Sequence, residues 1–313
     1  MGMSNFPNGF SSGVMVRGVP LTLAHPGSVF WVGNSTVLPD RGIGGSNVND
    51  GSYLAPFATI DYAVGRCKAG RGDIIMVKPG HIETVAAAAG LAVDVAGVAV
   101  VGLGSGSLRP TINLTATAST ITFSAANCSM INCLITGGID AVVSCVVVSA
   151  ADVTFDRVEV RDVTGEMTLG ILTTAGAARL KVLNHIHRGA AGAGSVAAIA
   201  IVGGDGIEIT ASLLDGNFST GIIDVRTTAT TNLHVHSILR AFNRNSSDII
   251  VVDTITASTG QVGPNISARL ADNAANITEA FTGATFVYMQ PLNLVNLAGE
   301  SSMFSNITAS TDA

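Results

Sequence analysis

The sequence predicts an all-β chain wound as a solenoid, and three observations predict it. The composition holds 36 glycines, only 12% charged residues and 5% aromatics, and the remainder is rich in Ala, Val, Ile and Thr. A chain that apolar without rings is suited to stacked, β-branched strands. The second observation is a repeat. The triplet Val98, Val100, Leu103 recurs as Cys128, Met130, Cys133, then Val153, Phe155, Val158, then Leu180, Val182, His185, then Ile207, Ile209, Ser212, and finally Leu233, Val235, Ile238. Its interval of about 25 to 30 residues is that of a solenoid repeat. The third is punctuation: Thr136-Gly137-Gly138, Gly203-Gly204-Asp205-Gly206 and Asp215-Gly216-Asn217 separate the apolar runs as turns do.

Taken in order, residues 1–45 show no clear periodicity and read as an extended N-terminal arm. Its candidate strands contain Val14, Val16, Val19 and Leu21, then Phe30, Trp31 and Val32, the last group holding the only tryptophan. Exposed apolar residues on an arm point to a bound partner, either a sister subunit or a larger assembly. The competing expectation is that the arm folds back and caps the coil.

Residues 46–84 carry the next two elements. Phe57, Ile60, Ala63, Val64 and Cys67 are spaced as one face of a helix, and Ile74 to Val77 follows as a strand stopped by Pro79-Gly80. Phe57, Ile60 and Val64 are the expected capping contacts, covering strand edges that would otherwise polymerise.

Residues 85–280 are the coils. The first two members of each triplet lie two apart, so one face of the strand points inward. A second apolar run precedes most triplets, such as Ile121 and Phe123 or Val146 and Val148, so each period holds at least two strands and room for a third. Six matched rungs give a coil about 30 Å long. The alignment also predicts two outward columns: Ala99, Ser129, Thr154, Lys181, Glu208, His234, and beside it Val101, Ile131, Asp156, Leu183, Thr210, His236. The second mixes apolar with polar residues, as a face half covered by another subunit does. Residues 281–313 break the repeat at Pro291 and read as a C-terminal cap or trimerisation segment with a tail.

The stretch Asp50-Gly51-Ser52, Pro56-Phe57, Thr59-Ile60 and Ala63, followed by Gly72-Asp73, Ile75, Val77, Pro79-Gly80 and Glu83, and then Val100, Gly102, Gly104, Pro110 and Ile112, resembles the opening module of pectate-lyase-like proteins. That resemblance spans roughly residues 48–112. It implies a right-handed parallel β-helix with an N-terminal capping helix, a fold that hosts lyases, hydrolases and structural virion parts alike.

Chemistry is sparse. A lyase would need clustered carboxylates for calcium and a nearby base, and a glycosidase would need two carboxylates about 5 to 9.5 Å apart. Asp156 and Glu208 are the weak candidates for such a pair, set against the simpler reading of a solvated strand face. His185 with His187, and His234 with His236, each place two imidazoles two residues apart and are weak candidates for a metal, without a third ligand at fitting spacing. Cys67, Cys128, Cys133 and Cys145 fit small core residues better than disulfides or zinc. Gly102-Leu103-Gly104-Ser105-Gly106 leads into a strand, so it lacks the helix end of a phosphate loop, and no cofactor is expected. Between Tyr62 and Tyr288 there is neither Tyr nor Trp, whereas sugar-binding grooves commonly use such rings as platforms.

No apolar run approaches a membrane span, no basic segment with an apolar core opens the chain, and the net charge is −6 without a basic cluster. The expectation is a chain without a signal peptide, bound to neither membrane nor nucleic acid. The stretch from Asn8 into the Asp50 module is similar to the start of tailed-bacteriophage virion proteins. That similarity implies a homotrimer made in the bacterial cytoplasm and placed on the particle surface. Two roles follow: a non-enzymatic head decoration protein contacting the major capsid protein or another virion protein, or a tailspike or tail fibre that binds or depolymerises host surface polysaccharide. The short coil and bare aromatic content favour decoration over the spike and over a free lyase.

Overall fold

The computed structural model describes residues 15–16, 19–20, 27–34, 43–162, 167–192, 194–244, 251–253, 255, 257–270, 281–282, 286–288, 292–295 and 301–302. Within them the chain forms a parallel β-solenoid with three long sheets of ten, ten and eight strands. From Ile74–Val77 to Phe281–Thr282 each turn lays one short strand in sheet 1, one in sheet 2 and one in sheet 3, and hydrogen-bonds them to their equivalents one turn away, while Ser301–Ser302 adds an antiparallel strand to the end of sheet 2. Ala99–Gly102, Thr111–Leu114 and Ile121–Phe123 make one such turn. Each period therefore has three strands.

The six triplets fall on successive strands of sheet 1, in the expected register. Ala99, Ser129, Thr154, Lys181, Glu208 and His234 pair in series, and so do Val101, Ile131, Asp156, Leu183, Thr210 and His236. Between these columns Val100, Met130, Phe155, Val182, Ile209 and Val235 point inward with at most 1% exposure. Ile112 and Ile135 from sheet 2, and Ile121, Val146, Ile171 and Ile199 from sheet 3, complete the core. The rings of Phe123 and Phe155 meet edge to face at 5.0 Å between centroids. Ten strands at about 4.8 Å make sheet 1 about 43 Å long, so the coil extends beyond the six rungs readable from the repeat.

What turns the chain is a pair of left-handed residues flanking the sheet 1 strand. Asn127, Asp152, Arg179 and Asn232 precede it, and Asn132, Arg157, Asn184, Ala211 and Ser237 follow it, all with φ between 50° and 59°. Asn and Asp tolerate this region because their side chains bond locally, whereas Ala has no such compensation. The corners are tied between turns. Asn132 N–H donates to Asp156 O at 2.9 Å, Arg157 N–H to Leu183 O at 3.1 Å and Asn184 N–H to Thr210 O at 3.2 Å. Arg179 also forms a two-pronged pair with Asp152 one turn away, at 2.7 and 2.6 Å.

The N-terminal end is closed by a short helix, α1, Ile60–Gly65. It is shorter than the periodicity predicts, because Thr59 is its N-cap and accepts from Tyr62 N–H, while Phe57 bridges to Val32 in extended backbone. Phe57, Ile60 and Val64 are at most 2% exposed. Glu83 Oε2 accepts from Ile60 N–H at 2.8 Å, and Asp61 Oδ1 accepts from Ala92 N–H at 2.9 Å on the first strand of sheet 3. The helix thus satisfies an edge donor of the sheet it covers.

Two expected boundaries shift. Val29–Val32 pairs in parallel with Ile74–Val77, so the coil begins inside the stretch expected to form the arm. Its outer edge is covered by the next loop: Trp31 N–H donates to Gly51 O at 2.7 Å and Phe57 N–H to Trp31 O at 2.8 Å. Gly51 is required there, since its φ is +77° and a Cβ would sit 2.4 Å from the Phe57 ring. At the other end, Phe286–Tyr288 and Leu292–Val295 pair with Gly260–Val262 and Ile266–Leu270, so sheets 1 and 2 continue into the segment expected to break the repeat. Met15–Val16 and Val19–Pro20 form a small antiparallel pair, while Val14 and Leu21 lie outside the described residues. No described helix is long and apolar enough to cross a membrane.

Ala211 carries a left-handed backbone without a side chain that compensates for it. Replacing it with glycine should raise unfolding free energy by about 0.5 to 1 kcal/mol in denaturant titrations, the strain relieved outweighing the added entropy of the unfolded chain. A loss of stability would mean that the corner is not strained at that residue.

Candidate functional site

The outer face of sheet 1 carries most of the residues singled out from the sequence, and it is divided along the coil. Over its first four rungs the outward pairs are Val29 and Trp31, Ile74 and Met76, Ala99 and Val101, Ser129 and Ile131. All are at least partly exposed, and Trp31 is braced edge-on by Tyr53 at 4.8 Å. Over the next four they are Thr154 and Asp156, Lys181 and Leu183, Glu208 and Thr210, His234 and His236. The apolar half lies next to the N-terminal end and the polar half lies away from it.

Among the expected attachment residues, Val32 is core with 0% exposure, Phe30 packs partly into the core against Phe57, and Trp31 remains on the outer face. The structure gives the backbone pairing of Val16 with Val19.

Asp156 and Glu208 are not brought together as a catalytic pair. They stand two rungs and two residues apart, about 12 Å between Cα positions. Each carboxylate is also engaged. Asp156 accepts from Arg157 Nε at 3.1 Å and from Asn184 Nδ2 at 2.8 Å. Glu208 lies 3.9 Å from Lys181 Nζ and 3.4 Å from His236 Nε2.

Around His236 is a hydrogen-bonded chain that sequence reasoning missed. Its Nδ1 is 3.2 Å from Ser237 Oγ and 3.3 Å from Thr210 Oγ1, and its Nε2 reaches Glu208. The register places Glu208 and Thr210 one rung away, which was the available signal. Two hydroxyls compete for one ring nitrogen, on a side chain about one-third exposed to solvent, so neither is committed as a nucleophile. The arrangement fixes the imidazole and offers a polar surface.

The two histidine pairs differ. His234 and His236 both face outward on Leu233–His236, with His234 exposed. His185 and His187 are inside the coil, at 0% and 2% exposure, so the face they share is the inner one and not a surface open to a metal. Asn184 turns the corner ahead of both, and the alternation through Ile186 then turns His185 and His187 to the same inner face. Their ring centroids are 6.4 Å apart, and His187 also lies 5.3 Å from Phe218. Gly170 makes room for it: a Cβ there would come within 2.8 Å of the ring. Burial holds His185 down at about 4, opposed by the Val158 backbone and the Glu159 charge, and holds His187 down at about 3, helped by His185. Among the described residues, no three His, Cys, Asp or Glu side chains gather as a metal site. The cysteines are free thiols; Cys128, Cys133 and Cys145 are buried, and burial pushes Cys133 up to about 12.

No protein-family model matches the chain, and no curated protein does. Among solved structures, Escherichia coli YbhC overlays 89% of this chain and 80% of its own, at 14% identity and a TM-score of 0.36.

Two outcomes follow from this geometry. Both buried imidazoles stay neutral in the fold, whereas an unfolded histidine protonates near 6.5. As pH falls from 6.5 toward 4 the unfolded chain takes up protons that the folded chain refuses, so stability is full above 6.5 and falls through that window. Thermal unfolding midpoints should drop between pH 7 and 4.5, and the slope should flatten in a His185→Leu, His187→Leu double variant; an unchanged slope would assign the loss elsewhere. By contrast, the Lys181 and Glu208 side chains are 53% and 33% exposed, so Lys181→Ala should change stability by about 0 to 1 kcal/mol. A loss several times larger would mean that this pair is structural.

Proposed function

We propose that this chain is a non-enzymatic structural protein of a tailed-phage virion, a homotrimeric decoration protein seated on the head through its N-terminal region. The observation that carries the reading is the apolar half of the sheet 1 outer face. Val29, Trp31, Ile74, Met76, Val101 and Ile131 form one band over four rungs, next to the N-terminal region and at the closed end of the coil. A contiguous apolar band of that kind on an otherwise low-aromatic surface marks a contact with protein.

A second copy is the simplest occupant. Identical flat sheet faces set side by side about a symmetry axis bury the same residues on every subunit. Strengthening a particle by multivalent seating draws on buried area and avidity and needs no reacting groups. The resemblance of the N-terminal stretch to virion proteins supplies the particle; the band supplies the means of assembly.

Mass measurement of the purified chain should give a trimer, and a Trp31→Glu, Met76→Glu variant should give a folded monomer. A stable monomer for the native sequence would remove the assembly. Antibody-labelled electron microscopy of particles should then spread label over the head. Label confined to the tail would favour a spike, and unlabelled particles would reject a virion role.

A further inference from the structure

The turn made of Lys181–Leu183, Ile186–Arg188 and Ala197–Ile201 differs from its neighbours in what it places inside the coil. His187 stands in the inward column of sheet 2 with Ile112, Ile135, Val160, Leu214 and Ala241, all of them aliphatic. His185 holds the corner position that Cys133, Val158 and Ser212 hold in neighbouring turns. Both ring nitrogens of His185 and Nδ1 of His187 are buried without a hydrogen bond. The Val158 backbone lies beside His185 and closes no bond to either nitrogen. Several other polar groups of the interior are satisfied. Ser212 Oγ donates to Thr210 O at 2.9 Å, Asn243 exchanges bonds with the Phe218 backbone at 3.0 and 3.1 Å, and Asp253 accepts from Ile255 and Ser258 N–H, each at 3.0 Å.

A neutral imidazole costs its missing bonds in such a place, and a charged one costs far more because it has no counter-ion. The carboxylates closest in register are Glu159 on the preceding strand of sheet 2 and Asp215 on the following one. Both are already engaged: Glu159 by Arg109, Arg161 and Arg188, and Asp215 by Arg240 and Arg244. The pull of Glu159 on His185 is smaller than the effect of burial. On the outer face of the same turn, Lys181 and Arg188 add positive charge. Ala197–Ile201 carries no charged residue, and Gly170 and Phe218, which lie against the His187 ring, bring none. A proton taken up here is therefore opposed from every side of the interior.

We infer that this turn is an acid-opened seam: on acidification it parts from its neighbours and lets both imidazoles reach water, while the N-terminal turns stay wound. A coil is coupled only from one turn to the next, so a middle turn can open without the far end. In the open form each imidazole protonates near 6.5, whereas burial in the closed form keeps His185 neutral down to about 4 and His187 down to about 3. The closed form is thus favoured in full above pH 6.5 and loses that advantage as pH falls from there toward 4. Relative to pH 8, one histidine favours opening by about 30-fold at pH 5, and two by about 1000-fold. The first turns have no such group and are held from outside, by Asp61 on Ala92 N–H and by the Gly51 loop on Trp31. The seam specifies where the fold yields, which overall stability against pH does not, and it needs neither the trimer nor the particle.

The test is hydrogen exchange of the full chain at about pH 8 and about pH 5, read as protection factors so that the pH dependence of the exchange chemistry cancels. Amides of Lys181–Leu183, Ile186–Arg188 and Leu213–Gly216 should lose protection by at least about tenfold and at most about 1000-fold, and those of Ile74–Val77 and Ala99–Gly102 by less than about threefold. A His185→Leu, His187→Leu variant should keep its protection at pH 5. His187→Leu alone should limit the loss to about 30-fold, a reading that stands even where the double variant does not fold. A His234→Gln, His236→Gln variant, which removes exposed imidazoles, should lose protection as the native chain does. Equal loss in all turns, loss that starts at Ile74–Val77, full loss in the variants of the buried pair, or none in the native chain would each overturn the inference. The first of these would do so even with overall stability falling as pH falls.

Discussion

Everything in this molecule depends on the parallel hydrogen-bond ladder between equivalent strands. A strand of three to five residues buries too little to hold itself, and one turn of such strands cannot close a core. Stacking at a fixed step solves both problems, because each turn satisfies the backbone of its neighbours and adds one layer to a continuous apolar interior. The same ladder also determines the surface. Since register is exact from turn to turn, an outward residue has its counterparts directly above and below, and the exterior is organised in columns. Chemistry on this fold is therefore a property of columns more than of local motifs.

That constraint explains how much was legible in advance. The triplets located the sheet 1 strands from Ala99–Gly102 to Leu233–His236, and their alignment reproduced both outward columns residue for residue. The same alignment held information that spacing alone obscured. It put His185 at the corner position occupied by Cys133 and Val158, which is core, yet the two-residue interval to His187 resembled a shared strand face. The face they share is the inner one, since the left-handed corner at Asn184 falls ahead of both, and corners of this kind are hard to read where Arg, Ala or Ser occupies them. Asp156 and Glu208 were likewise in different columns two rungs apart, a separation visible in the register and not in composition.

The ends were less legible for a physical reason. Among the described residues no turn precedes Val29–Val32 for it to repeat, so its place as the first rung does not show in the spacing, and its Trp resembled an arm residue. The charges on the outer face of sheet 2 were also hard to read, because they lie far apart in sequence and only stacking makes Arg161 and Arg188 neighbours. A search along the chain cannot find neighbours that stand across it.

The closing helix has a further consequence, which concerns size. A repeat that satisfies each turn with the next has no intrinsic length, and left to itself the ladder would add material for as long as matching edges were offered. Here Asp61 occupies an edge donor on Leu91–Val93, and the loop carrying Gly51 and Phe57 occupies the edge of Val29–Val32. These few contacts set where counting starts. The coil is a ruler with a fixed zero, and turns could be inserted or removed between its ends without redesigning either one.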